Sequence, residues 1–304
     1  MRRRQQRHRK NEYVFLYYLI FVSSIVEYII MENKAKFMKE ITSRESRSIM
    51  VKILKDVTDF CDQYGLIYFL SSGTLIGAIR HKGFIPWDDD IDIEMPRPDY
   101  DRFIQLYKEN GKYEISVPSD KNSFYFYVKV YDNNTVKIEE GIDYKRFSPL
   151  GIDIDVFPID GQPDEEHFEL FKKQTNRRKK TFEYFFSSIC STKNKSLKSL
   201  IKIFVCRLFG KDFFCNLYNK SSKINDYATS SMVGFISPYS QYSNRHRKEL
   251  FMKRVKVQFE DAEYWAPAGY DEYLRNIYGD YMQLPPTDQQ KTHHSSKTYW
   301  KDKY

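Results

Sequence analysis

Asp90 and Asp92, at the end of the run Trp87-Asp88-Asp89-Asp90-Ile91-Asp92, have the residue types and spacing for metal-assisted chemistry. With Glu94 they alternate against Ile91, Ile93 and Met95. Period two puts the two aspartates on one face of a strand and the apolar set against a core. A second segment, 151–157, repeats the pattern, with Asp153 and Asp155 on one face and Ile152, Ile154 and Val156 on the other. Carboxylates gathered in a dry site repel each other, and a bound cation relieves the repulsion. Oxygen-only donors suit a hard divalent ion, Mg²⁺ or Mn²⁺. If the two strands lie side by side, Asp155 adds a third ligand to Asp90 and Asp92. Such an ion clamps a phosphate or pyrophosphate and activates an attacking hydroxyl. A plain acidic surface loop over 88–90 is the competing reading. It leaves unexplained why Asp92 and a second Asp pair stand inside apolar alternating strands.

Other polar residues stand near these carboxylates in the chain. Ser71-Ser72-Gly73-Thr74 follows an apolar run and precedes a short helix; its hydroxyls suit capping, and free N–H groups there suit a phosphate. Lys129 projects from the bulky apolar and aromatic segment 124–131, where an unpaired ammonium is costly. It meets either phosphate oxygens or a carboxylate partner. Arg80 and Lys82 flank His81 and suit a polyphosphate, although surface placement serves His81 equally well. His293 and His294 specify no metal geometry by themselves.

The elements that must position these residues follow from periodicity. Apolar positions predict a helix over 48–61, stopped at Gly65, then a buried strand over 66–70 and a helix over 75–80. After the strand over 90–95, a helix over 99–107 has Pro98 near its first turn. An aromatic strand over 124–131 turns at 132–134 into a partner from Thr135, and Pro158 is expected to end the strand over 151–157. Residues 163–228 read as mainly helical. The closing part reads as aromatic and irregular apart from a helix over 271–277. An α/β architecture follows, a mixed sheet with a largely helical carboxy-terminal portion.

Composition bounds the rest. The chain has 304 residues, 41% hydrophobic and 30% charged, which excludes a disordered protein. Its formal charge of +8 is concentrated, with 13 Lys or Arg between 171 and 220 against only Glu183 and Asp212. That suits an anionic partner, whether phospholipid, polyanionic glycan or nucleic acid. No nucleic-acid module or basic-aromatic stripe is present, so no nucleic acid is expected. The cysteines show no metal or disulfide spacing. Residues 13–30 form an apolar stretch after six basic residues in the first ten. This segment is either a single anchor with its amino terminus inside, or lies upstream of a true start at Met31. Either way a site at the cytoplasmic face of the cell membrane is expected.

Residues 69–100, FLSSGTLIGAIRHKGFIPWDDDIDIEMPRPDY, resemble the hallmark of the LicD family of phosphocholine transferases, related to the fukutin-type sugar-phosphate transferases. YVKVYDNNTVKIE, GIDIDVFPIDG and YGDYMQLPP with the following histidine pair resemble its later blocks, and together they span most of 31–295. The resemblance implies a nucleotidyltransferase-like fold and a divalent cation. It implies transfer of a phospho-alcohol from a cytidine diphosphate donor such as CDP-choline to a hydroxyl of a glycan or lipid-linked glycan, as in lipopolysaccharide or teichoic acid synthesis. Ribitol- or glycerol-phosphate transfer, or nucleotidyl transfer, on the same scaffold is the alternative. A non-catalytic membrane-attached protein is more distant. Carried over by position, Asp90 and Asp92 match the paired metal ligands and Asp155 the third, with Asp153 as its alternative. Ser71-Ser72-Gly73-Thr74 matches the donor phosphate turn, although a glycine usually stands where this chain has Ser72. Arg80 and Lys129 are then the cations that balance the leaving group. Residues 1–30 and 171–220 match no block.

Overall fold

The computed structural model describes residues 38–120, 123–193, 195–235, 244–292 and 296–301. The segment 13–30 and the pair His293-His294 lie outside them. Among the described residues a mixed seven-stranded sheet forms the centre. Five of its strands, β1 (Phe69–Leu70), β2 (Asp92–Pro96), β3 (Glu114–Ser116), β4 (Val128–Asp132) and β6 (Ile152–Gln162), lie in the order β1-β2-β6-β4-β3. β7 (Met232–Gly234) joins β6 further along, and β8 (His246–Arg247) pairs β7. β2 and β6 run parallel, and the other pairs are antiparallel. β5 (Thr135–Glu139) leaves this sheet to pair with the carboxy-terminal strand β11 (Ser296–Trp300).

One face of the sheet carries the core. Ile93, Met95, Val128, Val130, Ile152, Ile154 and Val156 pack there with helices α1 (Ser43–Gln63) and α3 (Arg97–Asn110). α1 begins five residues before the periodicity predicts, because Thr42 and Glu45 form a capping box. The Thr42 hydroxyl accepts the Glu45 N–H at 3.2 Å, and the Glu45 carboxylate accepts the Thr42 N–H at 2.9 Å. The period-two residues Asp92, Lys129, Asp153 and Asp155 are left for the opposite face.

Pro158 does not end β6, contrary to expectation. Asp155 donates its N–H to Ile91 on the β2 side, so by alternation the Pro158 nitrogen faces the β4 side. The β4 ladder stops at the Val128–Val156 pair, just before Pro158 would have to donate. Proline thus ends the pairing with β4 and leaves β6 free to continue to Gln162. This also shortens the aromatic strand, which begins at Val128 rather than Phe124. Phe124 and Phe126 turn into a second, aromatic core with Phe157 and with Phe185, Cys206, Phe214 and Tyr218 of the helical layer. That layer consists of α4 (Phe168–Ile189), α5 (Leu197–Phe209) and α6 (Lys211–Ser222). The expected helical portion is therefore present, and the four cysteines are buried free thiols.

The closing part is more regular than its sequence suggests. It holds a hairpin of β9 (Arg254–Phe259) and β10 (Ala262–Pro267) and the expected helix, α7 (Tyr270–Tyr278). On β8, His246 is buried against Tyr273, 4.7 Å between rings, with its Nδ1 lacking a hydrogen-bond partner. Burial pushes its pKa down to about 4. An unfolded histidine protonates near its ordinary value while the folded one does not, so stability is full above that value and falls as pH drops through it toward 4. The loss should reach about 3 kcal/mol by pH 4. Unfolding free energies from urea titrations at pH 7 and pH 4.5 should differ by about 2.5 kcal/mol more for the parent than for His246→Phe. Equal acid sensitivity of the two would disprove it.

Candidate active site

Strand register builds the site. Asp92, the first residue of β2, is the Cα partner of Asp155 on β6, and Asp155 is in turn the partner of Lys129 on β4. Three adjacent strands therefore present carboxylate, carboxylate and ammonium in one row. The Lys129 ammonium pairs with Asp155 and, at 2.8 Å, with Asp153. Lys137 on β5 reaches Asp153 as well, at 3.2 Å. All of these side chains are buried or nearly so.

The two aspartates of β6 are therefore not equivalent. Burial works against ionisation of Asp153, but Lys129 and Lys137 outweigh it and hold its carboxyl below the usual range. Asp155 is pushed up by burial, with Lys129 opposing and Asp153 adding to the rise. Asp92 is pushed well above the usual range, first by burial and then by the charges of Asp90, Asp155 and Asp88. Two ammonium groups thus hold Asp153 ionised, whereas neighbouring carboxylates add to the burial that resists ionisation of Asp92. No three His, Cys, Asp or Glu side chains among the described residues form a ready-made metal cage. The donor set around Asp92 is nevertheless oxygen-only, and its mutual repulsion is of the sign that a cation relieves.

α2 (Ser72–Arg80) is anchored to the start of β2. Asp92 donates its N–H to the Thr74 hydroxyl at 2.9 Å, and its carbonyl accepts the Ser71 N–H at 3.1 Å. The hydroxyls do not cap the helix as the sequence suggests. Ser71 is the N-cap residue, but its buried hydroxyl makes no cap bond; the Thr74 hydroxyl is engaged by β2, and Ser72 already belongs to the helix. Ser72 has φ +48°, a region that favours glycine, so the departure from the family's glycine falls where the backbone would favour one. A Cβ on Gly73 would fall 2.5 Å from Asp88 Oδ2, so the glycine lets the aspartate loop lie against the first turn of α2.

Arg80 ends α2, about 12 Å along the helix from that first turn. Its guanidinium donates to the carbonyls of Tyr281 at 2.6 Å and Gln283 at 3.4 Å, and to His81 Nε2. It fastens the YGDYMQLPP block to α2. Burial, and the neighbouring Arg80 charge, lower the His81 pKa. Lys82 adopts φ +61° and accepts the Glu260 N–H with its carbonyl.

Sequence reasoning missed Arg47, which α1 carries to the aspartate loop. Its guanidinium donates to the carbonyls of Pro86 and Asp88, both at 2.7 Å, and lies 5.1 Å over the Phe84 ring. The Thr42-x-x-Glu45 capping signal extends the helix far enough to include it. Tyr125 and Tyr127, on either side of Phe126, face the site, with Lys129 Nζ 4.4 Å and 5.5 Å from their ring centres. With Asp155, Lys137, Glu139 and Glu140 they line a cavity of 230 Å³. A larger one, 490 Å³, lies between α1, the aspartate loop and β11, and the two share Lys137, Asp153 and Ser296 as lining.

Residues 65–197 match the LicD/FKTN/FKRP nucleotidyltransferase domain. The chain is 33% identical over 275 residues to the lipopolysaccharide cholinephosphotransferase LicD of Haemophilus influenzae, a match that takes in 86% of this chain and 99% of that protein. Uncharacterised proteins of Rickettsia typhi and Rickettsia prowazekii are each 30% identical, over 91 and 84 residues, about three-tenths of their own lengths. Likeness along the whole of the Haemophilus protein, together with a mixed sheet that presents carboxylates beside a small-residue helix start, places this chain in the LicD family, as an enzyme of nucleotidyltransferase-like phosphotransfer.

Proposed function

We propose that this enzyme transfers phosphocholine from CDP-choline to a hydroxyl of a cell-surface glycan, with a divalent cation. The observation that carries the phosphotransfer reading is the buried row Asp92–Asp155–Lys129 beside the first turn of α2. The likeness to a cholinephosphotransferase supports the choice of alcohol. The smaller cavity adds no preference among alcohols, because the Lys129 ammonium already lies over the Tyr125 and Tyr127 rings and Lys137 shares the lining with Glu139 and Glu140.

Asp90, Asp92 and Asp155 would hold the cation, and Asp153 is less suited because two lysines already satisfy it. When bound, Mg²⁺ or Mn²⁺ supplies positive charge to the donor pyrophosphate. The chain's own residues do the rest. The backbone at Ser71-Ser72-Gly73-Thr74 faces the donor phosphates at a helix start. Asp155, whose carboxyl burial makes more basic, orients the acceptor hydroxyl and takes its proton. The hydroxyl oxygen attacks the phosphorus that bears the choline ester, and the bond from that phosphorus to the bridging oxygen breaks. Cytidine monophosphate leaves with its new charge near Lys129. Arg80, held by carbonyls of the closing block, positions that block.

The test is incubation of the purified protein, with Mg²⁺ or Mn²⁺ and a lipopolysaccharide or teichoic-acid glycan, with CDP-choline, CDP-ribitol and CDP-glycerol in parallel. Release of cytidine monophosphate with CDP-choline, and a glycan heavier by one phosphocholine, is the expected result. Turnover of CDP-ribitol or CDP-glycerol alone would transfer the reading to a polyol phosphate. Inertness toward all three would refute it.

A further inference from the structure

The basic helical layer has a second property that its charge does not reveal. α5 buries Ile203 and packs Cys206 into the aromatic core, and its rotation is pinned where Arg207 donates to Asp143 at 2.6 Å and to the Cys190 carbonyl at 2.8 Å. With that side held inward, Leu197, Ile201, Phe204 and Leu208 point outward along one line, at i, i+4, i+7 and i+11. They are 74%, 57%, 64% and 71% exposed. Phe209 and Phe213, with ring centres 5.4 Å apart, carry the apolar surface over to α6. Single exposed hydrophobics are ordinary, but a continuous row of large ones is a contact surface.

Its surroundings select the occupant. Lys198 and Lys202 are exposed on the flank of the row, and Lys193, Lys195 and Lys220 are exposed close by in the chain. Asp212 and Glu183 are the acidic residues of the whole 171–220 stretch. A hydrophobic stripe bordered by lysines with so few carboxylates complements a surface that is apolar inside and anionic at its boundary. That describes a bilayer containing acidic phospholipid. No helix among the described residues is long and apolar enough to cross a membrane, so this face lies on the bilayer rather than through it.

We propose that the α5–α6 face docks on an anionic lipid bilayer, with Leu197, Ile201, Phe204 and Leu208 among the acyl chains and Lys198 and Lys202 at the headgroups. The proposal is independent of the donor, since a chain that released no cytidine monophosphate would still bind lipid.

Flotation of the full chain with vesicles tests it, one set of phosphatidylcholine and one of phosphatidylcholine mixed equally with phosphatidylglycerol. The parent should float with the anionic vesicles and much less with the neutral ones. Leu197→Ser, Ile201→Ser, Phe204→Ser and Leu208→Ser combined should weaken partitioning at least about a hundredfold, with the far-ultraviolet circular dichroism unchanged. Lys198→Glu with Lys202→Glu, which leaves the stripe intact, should lose about tenfold and much of the salt dependence. A parent that ignores anionic vesicles would overturn the proposal. So would a fourfold serine variant that floats as well as the parent, since attachment would then reside elsewhere in the chain. A parent dimer that this variant dissociates without loss of flotation would reassign the face to a second copy.

Discussion

Asp92→Asn is expected to slow metal-dependent release of cytidine monophosphate by at least about a hundredfold, the scale seen when a principal electrostatic stabiliser is removed. Asparagine keeps the shape of the side chain, and the bonds to Thr74 and Ser71 use only the Asp92 backbone, so the junction of α2 with β2 should survive. What disappears is a negative charge in the most crowded part of the cluster. Burial and three neighbouring carboxylates already resist ionisation there, so the melting temperature should hold or rise while activity collapses. Asp90→Asn should behave alike. Asp88→Asn and Asp89→Asn should cost less, because both residues lie on the approach to the strand. Turnover at saturating Mg²⁺ or Mn²⁺, beside a thermal melt of each variant, separates the two effects. Near-normal turnover by both Asp90→Asn and Asp92→Asn would rule out the metal role.

Lys129→Met is expected to damage the fold rather than only the chemistry. The Lys129 side chain is 4% exposed, and its ammonium joins Asp153 and Asp155 at once. Lys137 would still serve Asp153, but Asp155 would face Asp92 with its counter-charge gone. Removing one member of a buried pair typically costs about 3–5 kcal/mol, a large share of the 5–15 kcal/mol or so that holds a domain together. A urea midpoint far below the parent's is therefore the expected reading. Adding Asp155→Asn should recover much of the stability, since the orphaned charge is gone, yet leave the enzyme inactive. If Lys129→Met unfolded at the parent's midpoint, the ion pairs would be incidental. If the double variant stayed as unstable as the single one, Asp155 would not be the cause.

Several features of this site were open to a reader of the sequence because they are local. Alternation of Asp with Ile needs only a period of two, so the outward placement of Asp92, Asp153 and Asp155 could be named from 90–95 and 151–157. β2 nevertheless begins at Asp92 and leaves Asp90 on the loop before it rather than in the strand. The small residues likewise announced a short helix, although it begins at Ser72, three residues before the spacing predicts. The family blocks gave the fold class, and the mixed sheet with its helical portion agrees. Limits of elements were harder. Thr42 and Glu45 set the start of α1 through side-chain bonds that apolar spacing does not register. Pro158 interrupts a ladder on one edge of β6 only, and which edge depends on the neighbours.

The sequence by itself determined that Asp92, Asp153 and Asp155 stand opposite the apolar set of their strands, where the small residues that open α2 fall, and that positive charge gathers in 171–220. Only the tertiary structure decided partners. Asp153 and Asp155 are indistinguishable in a single strand, yet the parallel register sets Asp155 beside Asp92 and leaves Asp153 to Lys129 and Lys137. Lys129 could have met a phosphate or a carboxylate, and its antiparallel register with β6 gives it two carboxylates. Arg47, distant in the chain, holds the loop that precedes Asp90, and packing of α5 on α4 settles which of its apolar residues face out. Periodicity is a property of neighbouring residues, whereas register, ion pairing and outward faces depend on segments brought together by burial of the whole core. No window along the chain contains that information.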